Sequence, residues 1–311
     1  MYNKIKRGRK VVAAAALLQI SIAVIYSPLS SKEEEMFGFL RPHASKGKPL
    51  MTGEDWLHGK TISDRLQDSS LWRIHKKEYD LSSFNHPGGN EWIELTKGND
   101  ITELFESSHP DIDKVTKLLK KYEVQTNGTI RNSGSFTFDK NGFYSVFRAR
   151  AFEALKSHGG SGPTHQMLLM HDSALCVFLL LFISLANPLL EVCTWLWWGV
   201  LVLCAFVLQC LATISHNFWH QKRNWRMFTW DLTLYSSHDW RITHAISHHA
   251  FPNTAYDYEM MVFEPFLEFL PVEKSLMRKL ITLPVFLTIT TVAFHLQVSF
   301  RLQQTDWLAG W

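Results

Sequence analysis

The sequence predicts a small polar domain built around a pair of histidines, followed by an all-α polytopic membrane domain that is incomplete as a helix bundle. Three observations predict it. Residues 33–165 are polar and charged, whereas much of 172–214 is almost free of charge, although the average hydropathy of the 311 residues is near neutral. The run His86-Pro87-Gly88-Gly89 is followed by His109 at the end of an acidic stretch. A second histidine group, His216 to His249, begins where the apolar stretch ends. A chain of this length can hold two domains. Composition divides it into a basic and apolar leader or anchor (1–45), the histidine-pair domain (46–125), a linker with an amphipathic stretch (126–165) and the membrane domain (166–311).

His86 and His109 bracket short helical sequence, and the first sits on a Pro-Gly-Gly turn. Two imidazoles so placed can clamp a haem iron from both faces. Proline fixes the backbone beside the ligand, and paired glycines let the chain approach a flat macrocycle without Cβ clashes. An iron held by two imidazoles has no open position, so it carries electrons and does not bind oxygen. The surrounding charge suits that task. Glu91, Glu94, Asp100, Glu103, Glu106, Asp111 and Asp113 face Lys97 as the one Lys or Arg between residues 90 and 113. Such a face steers a basic redox partner toward the haem edge.

The flanking residues resemble the cytochrome b5 family from about residue 50 to 125. Leu71 to Phe84 is similar to the strand, turn and strand that precede that family's first haem ligand, and Asp100, Thr102 and Phe105 match its pattern before the second. The resemblance implies a small α+β domain with haem b held by His86 and His109 as axial ligands. It also implies that Trp72, Tyr79, Phe84 and Phe105 build the core and haem pocket.

In the second half, Ala174–Leu190 and Val192–Ile214 are apolar runs joined at Asn187-Pro188. At about 1.5 Å per residue the second is long enough for a hydrocarbon core of about 30 Å. They read as a helical hairpin with spans at about 174–190 and 192–214. Trp195, Trp197 and Trp198 lie beside the turn as interfacial aromatics do. A weaker third span covers about 280–300, Leu280 to Phe300, and contains Pro284 and His295. Cys176, Cys193, Cys204 and Cys210 lie in or beside the apolar runs, where thiols pack as small hydrophobes. No disulfide framework, zinc-type cysteine spacing or nucleic-acid signature is present.

Lys222, Arg223, Arg226, Arg241, Lys274, Arg278 and Lys279 follow the hairpin, whose turn has no Lys or Arg. Positive-inside reasoning places 216–279 on the cytoplasmic side and returns the haem domain to the same side. The N-terminus resists this topology, since Lys4, Lys6, Arg7, Arg9 and Lys10 precede the apolar run Val11–Tyr26. That run is short for a span, so a non-spanning leader or an atypical start to the chain is expected rather than an inverted topology. The sequon Asn127-Gly128-Thr129 tests it, being modified only if lumenal. In the linker, Phe143, Val146, Phe147, Ala151 and Leu155 share a face at helical spacing, which predicts a helix, either lying in the membrane interface or packed on a soluble core.

His216 and His220 are four residues apart, as are His244 and His248, so each pair stands on one face of a helix and reaches one metal. His249 is turned from His248 by roughly 100° and addresses a second ion or the other side of the site. An imidazole-rich site suits iron, copper, zinc or nickel. The two groups, with Trp240 before the second and Phe251-Pro252-Asn253-Thr254 after it, resemble the first two histidine boxes of the membrane fatty-acid desaturases. A haem domain fused ahead of them resembles front-end desaturases and, closer still, the cytochrome b5-related proteins, over roughly residues 50–300.

By that resemblance His216, His220, His244, His248 and His249 ligate two non-haem irons. Oxygen activated there removes hydrogens from an acyl chain, in desaturation or hydroxylation. Electrons come singly from the haem, supplied by an NADH-cytochrome b5 reductase or similar donor. The substrate is an acyl lipid or acyl-CoA, and the setting is the endoplasmic reticulum membrane with the haem domain cytoplasmic. The family's third histidine box has no match after residue 249, so the chain is either C-terminally truncated, which is the expectation, or a form with an incomplete di-iron site; His238 beside Asp239 is unassigned too and is the first candidate for an extra ligand. His171 and His295 are unassigned. Two further readings stand beside the enzyme: a membrane-anchored b5-type electron carrier with an inactive histidine-rich half, and a metal-binding membrane scaffold.

Overall fold

The computed structural model describes residues 52–64, 66, 68–125, 136–157, 159–160, 162–188, 193–254 and 256–261, with isolated positions between 267 and 286. The N-terminal leader, the sequon and all but isolated positions of the third span lie outside these residues. Helix α1 (Gly53–Asp64) starts at a reciprocal cap. Thr52 N and Oγ1 donate to Asp55 at 3.2 and 3.1 Å, and Asp55 N donates back to Thr52 Oγ1 at 3.1 Å. Two orphan N–H groups are satisfied in one exchange.

Strands β1 (Trp72–Ile74), β2 (Lys77–Tyr79) and β3 (Glu123–Val124) form an antiparallel sheet in that order. Trp72 pairs with Tyr79, and Tyr79 with Glu123. His75 turns the first hairpin at φ 57°, a left-handed conformation uncommon outside glycine. Two contacts hold it: its N–H donates to Thr102 Oγ1 at 2.6 Å, and its ring meets Glu106 at 2.7 Å. Short helices α2 (Glu91–Leu95), α3 (Thr102–Ser108) and α4 (Ile112–Leu119) complete the domain. Asp100 begins α3 by accepting from Thr102 N and Oγ1 at 3.1 and 2.6 Å, which explains the Asp-x-Thr pattern. Trp72, Ile74, Tyr79, Leu81, Ile101, Phe105 and Leu119 form its core, with Phe84 at the margin.

Helix α5 (Phe143–Ser157) lies in the expected linker segment and is clasped to α3 of the domain before it by its polar side. Tyr144 Oη and Arg148 donate to the Glu106 carbonyl at 3.2 Å, and Arg148 also pairs with the Glu106 carboxylate. Phe143 and Phe147 stack on each other and stay exposed. Helix α6 (His165–Leu185) begins before the apolar run because Thr164 accepts from Met167 N and caps an earlier turn. Helix α7 (Thr194–Asn217) packs back on α6 around Phe178, Cys204 and Leu211.

Both α6 and α7 are long and apolar enough to cross a membrane. Leu180, Phe182, Ile183, Trp195, Val202 and Phe206 keep more than half of their surface bare, a continuous apolar exposure that water disfavours. The described cysteines are all unpaired. Beyond α7 the chain makes a 3-10 turn (Phe218–His220), a 3-10 run (Trp225–Thr233), α8 (Ser237–Trp240), a π-helix (Arg241–His248) and α9 (Tyr258–Met261). A second core joins the two halves. Trp56 and Leu57 of α1 pack with Ile242, Ile246, Ala250 and Phe251, and Trp92, Leu95 and Leu104 border them.

Candidate haem and metal centres

His86 and His109 are brought together with their rings nearly perpendicular, at 88°. The two imidazole centres are 6.0 Å apart. Metal–nitrogen bonds of about 2 Å on each side, plus about 1 Å from nitrogen to ring centre, give about 6 Å, so one ion fits between them. Their tautomers are set by backbone carbonyls, which only accept. His86 Nδ1 donates to Gly89 O at 3.1 Å, and His109 Nδ1 to Phe105 O at 2.8 Å. Each Nε2 is left with its lone pair for a metal. Burial pushes both imidazoles below the usual histidine range, so they are neutral at pH 7.

The glycines have separate reasons. A Cβ on Gly88 would lie 2.8 Å from His86 Cε1, and Gly89 holds φ +122°, which side chains rarely adopt. Phe84 stands edge-on to His86, while Phe105 packs against His109. These residues fit a haem clamped between two histidines.

The second group converges through Nε2 atoms. His216 lies 2.9 Å from His220 and 2.9 Å from His244, and His249 lies 3.0 Å from His244. Donors about 2.1 Å from one ion at right angles stand about 3 Å apart, so these separations suit a shared metal. The π-helix decides which residues meet. His249 N donates to His244 O at 3.0 Å, an i to i−5 bond that brings His249 over His244. An α-helical period would pair His244 with His248 instead. The His244 and His248 rings do stack, at 5.6 Å, but His248 directs Nδ1 to Asp257 at 3.0 Å.

Carboxylates behind the imidazoles were not singled out in the sequence. His244 Nδ1 donates to Glu259 at 2.5 Å, and His248 Nε2 lies 3.9 Å from the same carboxylate. Asp257 is fully buried and also accepts from Asn253 N at 2.8 Å and Met260 N at 3.3 Å. The one available signal was an Asp-x-Glu a few residues beyond the second histidine group. Hydrogen bonding to Asp257 raises His248 above its ordinary value, whereas desolvation and the adjacent imidazoles push His249 down to about 4. Trp240 lies flat on His244, with ring centres 4.4 Å apart.

Two other histidines are spent elsewhere. His238, the first candidate for an extra ligand among the unassigned histidines, is instead paired with Glu54 of α1 at 2.6 Å. His171 is fully buried and bonds Thr229 at 2.9 Å and Asp172 at 3.1 Å.

Residues 59–126 match the cytochrome b5-like heme/steroid binding domain family. Fold, histidine pair and this match define a haem-binding b5-type module joined to a mostly helical half with two apolar helices. The cytochrome b5-related protein of Drosophila melanogaster is 34% identical over 266 residues, covering 83% of this chain and 57% of that protein. Its Drosophila virilis counterpart is 36% identical over 109 residues, 34% of this chain and 73% of that protein. The Delta(5) fatty acid desaturase A of Dictyostelium discoideum is 27% identical over 229 residues, 68% of this chain and 47% of that protein. No solved structure matches the chain. The chain belongs to the cytochrome b5-related proteins, in which a b5 domain is fused to a desaturase-like half, and it spans 57% of the Drosophila melanogaster relative.

Proposed function

We propose that this chain is the haem-bearing part of a membrane oxidoreductase of lipid metabolism, acting on acyl chains as a desaturase or hydroxylase. The observation that carries the reading is the convergence of His216, His220, His244 and His249 through Nε2, backed by Glu259 on His244. Imidazoles packed this closely resist protonation, and a shared cation satisfies the Nε2 lone pairs that face one another. Non-haem iron bound there supplies oxygen activation. His216, His220, His244 and His249 hold one ion, and His248 with Glu259 forms the pair left for a second.

His86 and His109 hold haem b and present it as a one-electron store, filled by an NADH-cytochrome b5 reductase or similar donor. Helices α6 and α7 bind the endoplasmic reticulum bilayer and shield an acyl lipid or acyl-CoA chain from water, with the haem domain on the cytoplasmic side. Helix α5 lays Phe143 and Phe147 into the interface beside them.

A second reading is a membrane-anchored electron carrier. It is favoured by the donor count, since the four converging imidazoles among the described residues complete one ion rather than two. Metal analysis of detergent-purified protein separates the two. About two non-haem irons per haem, followed by new double bonds or hydroxyls in assayed lipids, supports the oxidoreductase. Haem iron alone overturns it in favour of the carrier.

A further inference from the structure

Both histidine centres abut one packed boundary inside the chain. Trp56 Nε1 donates to Tyr256 O at 3.0 Å, Gly53 N to Asp239 at 3.2 Å, and Arg223 pairs with Glu91 at 2.9 Å. At its middle lies Arg241, 5% exposed, with its guanidinium carbon 5.3 Å from the ring centres of both Trp92 and Trp219. Its Nε has no hydrogen-bond partner among the described residues. A buried cation is costly, and a chain that needed only packing would be served better by an apolar side chain. Two indole faces repay part of that cost, and they also fix the distance between the segments that carry them.

Those segments lead to the two centres. A Cβ on Gly89 would lie 3.7 Å from both Trp92 Cδ1 and Arg223 Cδ, and the Gly89 carbonyl is the acceptor that orients His86. Trp219 immediately precedes His220. We propose that Trp92, Arg241 and Trp219 form an internal docking clasp, with Arg241 the positioning residue that holds the His86 loop against the His216–His220 turn. On this face the redox partner of the haem domain is therefore the same chain. The inference deepens the proposed function and rests on it for the second metal. With haem held by His86 and His109 and iron by the histidine cluster, the clasp would serve the passage of one electron, ferrous haem becoming ferric as a ferric ion becomes ferrous. No bond is made and no proton is moved.

The test uses the full haem-loaded chain in detergent, with Arg241→Met, Arg241→Lys and Glu91→Gln compared by hydrogen exchange and visible spectrum. Loss of the clasp is expected to speed amide exchange in 89–95 and 219–223 about tenfold in Arg241→Met, with the bis-histidine spectrum kept as proof of folding. Lysine keeps the charge without the flat plate, so Arg241→Lys is expected within about threefold of the Met variant. Glu91→Gln removes an exposed pair and is expected to change exchange less than about threefold. In iron-loaded protein, anaerobic reoxidation of ferrous haem is expected to slow about tenfold in Arg241→Met.

Unchanged exchange in both Arg241 variants, full recovery with lysine, or faster exchange with unchanged reoxidation would each overturn the clasp. Hydrogen exchange needs no iron. A chain that binds none therefore fails the proposed function, while the exchange data still decide the docking.

Discussion

Asp257→Asn is the most informative single change, because the replacement keeps the shape and alters the hydrogen-bond polarity. In the native chain one carboxylate oxygen accepts from His248 Nδ1 at 3.0 Å and Met260 N at 3.3 Å. The other accepts from the same Nδ1 at 3.0 Å and from Asn253 N at 2.8 Å. An amide supplies one oxygen and one NH2, so at least one backbone donor must face another donor. Leaving a buried N–H unsatisfied costs about 1–3 kcal/mol, and losing a charged acceptor for the imidazole costs about 1.5–3 kcal/mol more. Asp257 is 0% exposed, so water cannot relieve either loss without opening the loop.

A combined effect of about 2.5–6 kcal/mol corresponds to exchange of the Asn253 and Met260 amides faster by about sixtyfold at the least and about ten-thousandfold at the upper end. His248 also loses the hydrogen bond that raises it and titrates lower. Metal affinity at the His248–Glu259 pair is expected to fall about 10- to 100-fold, as when an outer partner of a ligand is removed. The assay is hydrogen exchange on the purified chain, with cobalt binding followed by its visible bands. Exchange within threefold of the native chain, together with unchanged cobalt affinity, would refute the assignment of Asp257 as the holder of His248.

His86→Ala and His109→Ala are each expected to abolish the low-spin bis-histidine haem spectrum, and retention of that spectrum by both variants sinks the axial assignment. A pH effect is expected at the α5 clasp. Burial alone would raise the Glu106 carboxyl, but hydrogen bonds from His75 and Arg148 outweigh it and hold it below 4.5. A carboxylate lowered on folding stabilises fully above its unfolded value, and that contribution is lost as pH falls through the lowered folded value. Helix α5 is therefore expected to stay docked at neutral pH and to loosen below about pH 4.5, with exchange of 143–157 as the measure. Arg148→Met is expected to produce the same loosening at pH 7, and a helix equally protected in that variant argues against the clasp.

What sequence alone determined is the part governed by short-range physics. The first two apolar runs were legible as long uncharged stretches, and α6 and α7 cover most of them, with α6 starting ahead of its run. Asp100 and Thr102 stood in the recognised pattern before His109, and the local hydrogen bond between them starts α3. Helix α5 followed from its 3.6-residue pattern, and the pairing of His86 with His109 from turn chemistry around Pro87, Gly88 and Gly89.

Tertiary structure decided the direction of each imidazole. The i, i+4 rule matched His244 with His248, but the chain winds as a π-helix there and sets His249 over His244. Asp257 and Glu259 entered through a loop folded back on that helix, and His238 was taken by Glu54, 184 residues away. Orientation of a ring depends on whichever donor or acceptor a distant segment brings within about 3 Å, and that pairing is settled by packing of Trp56, Ile242 and Phe251 rather than by spacing along the chain.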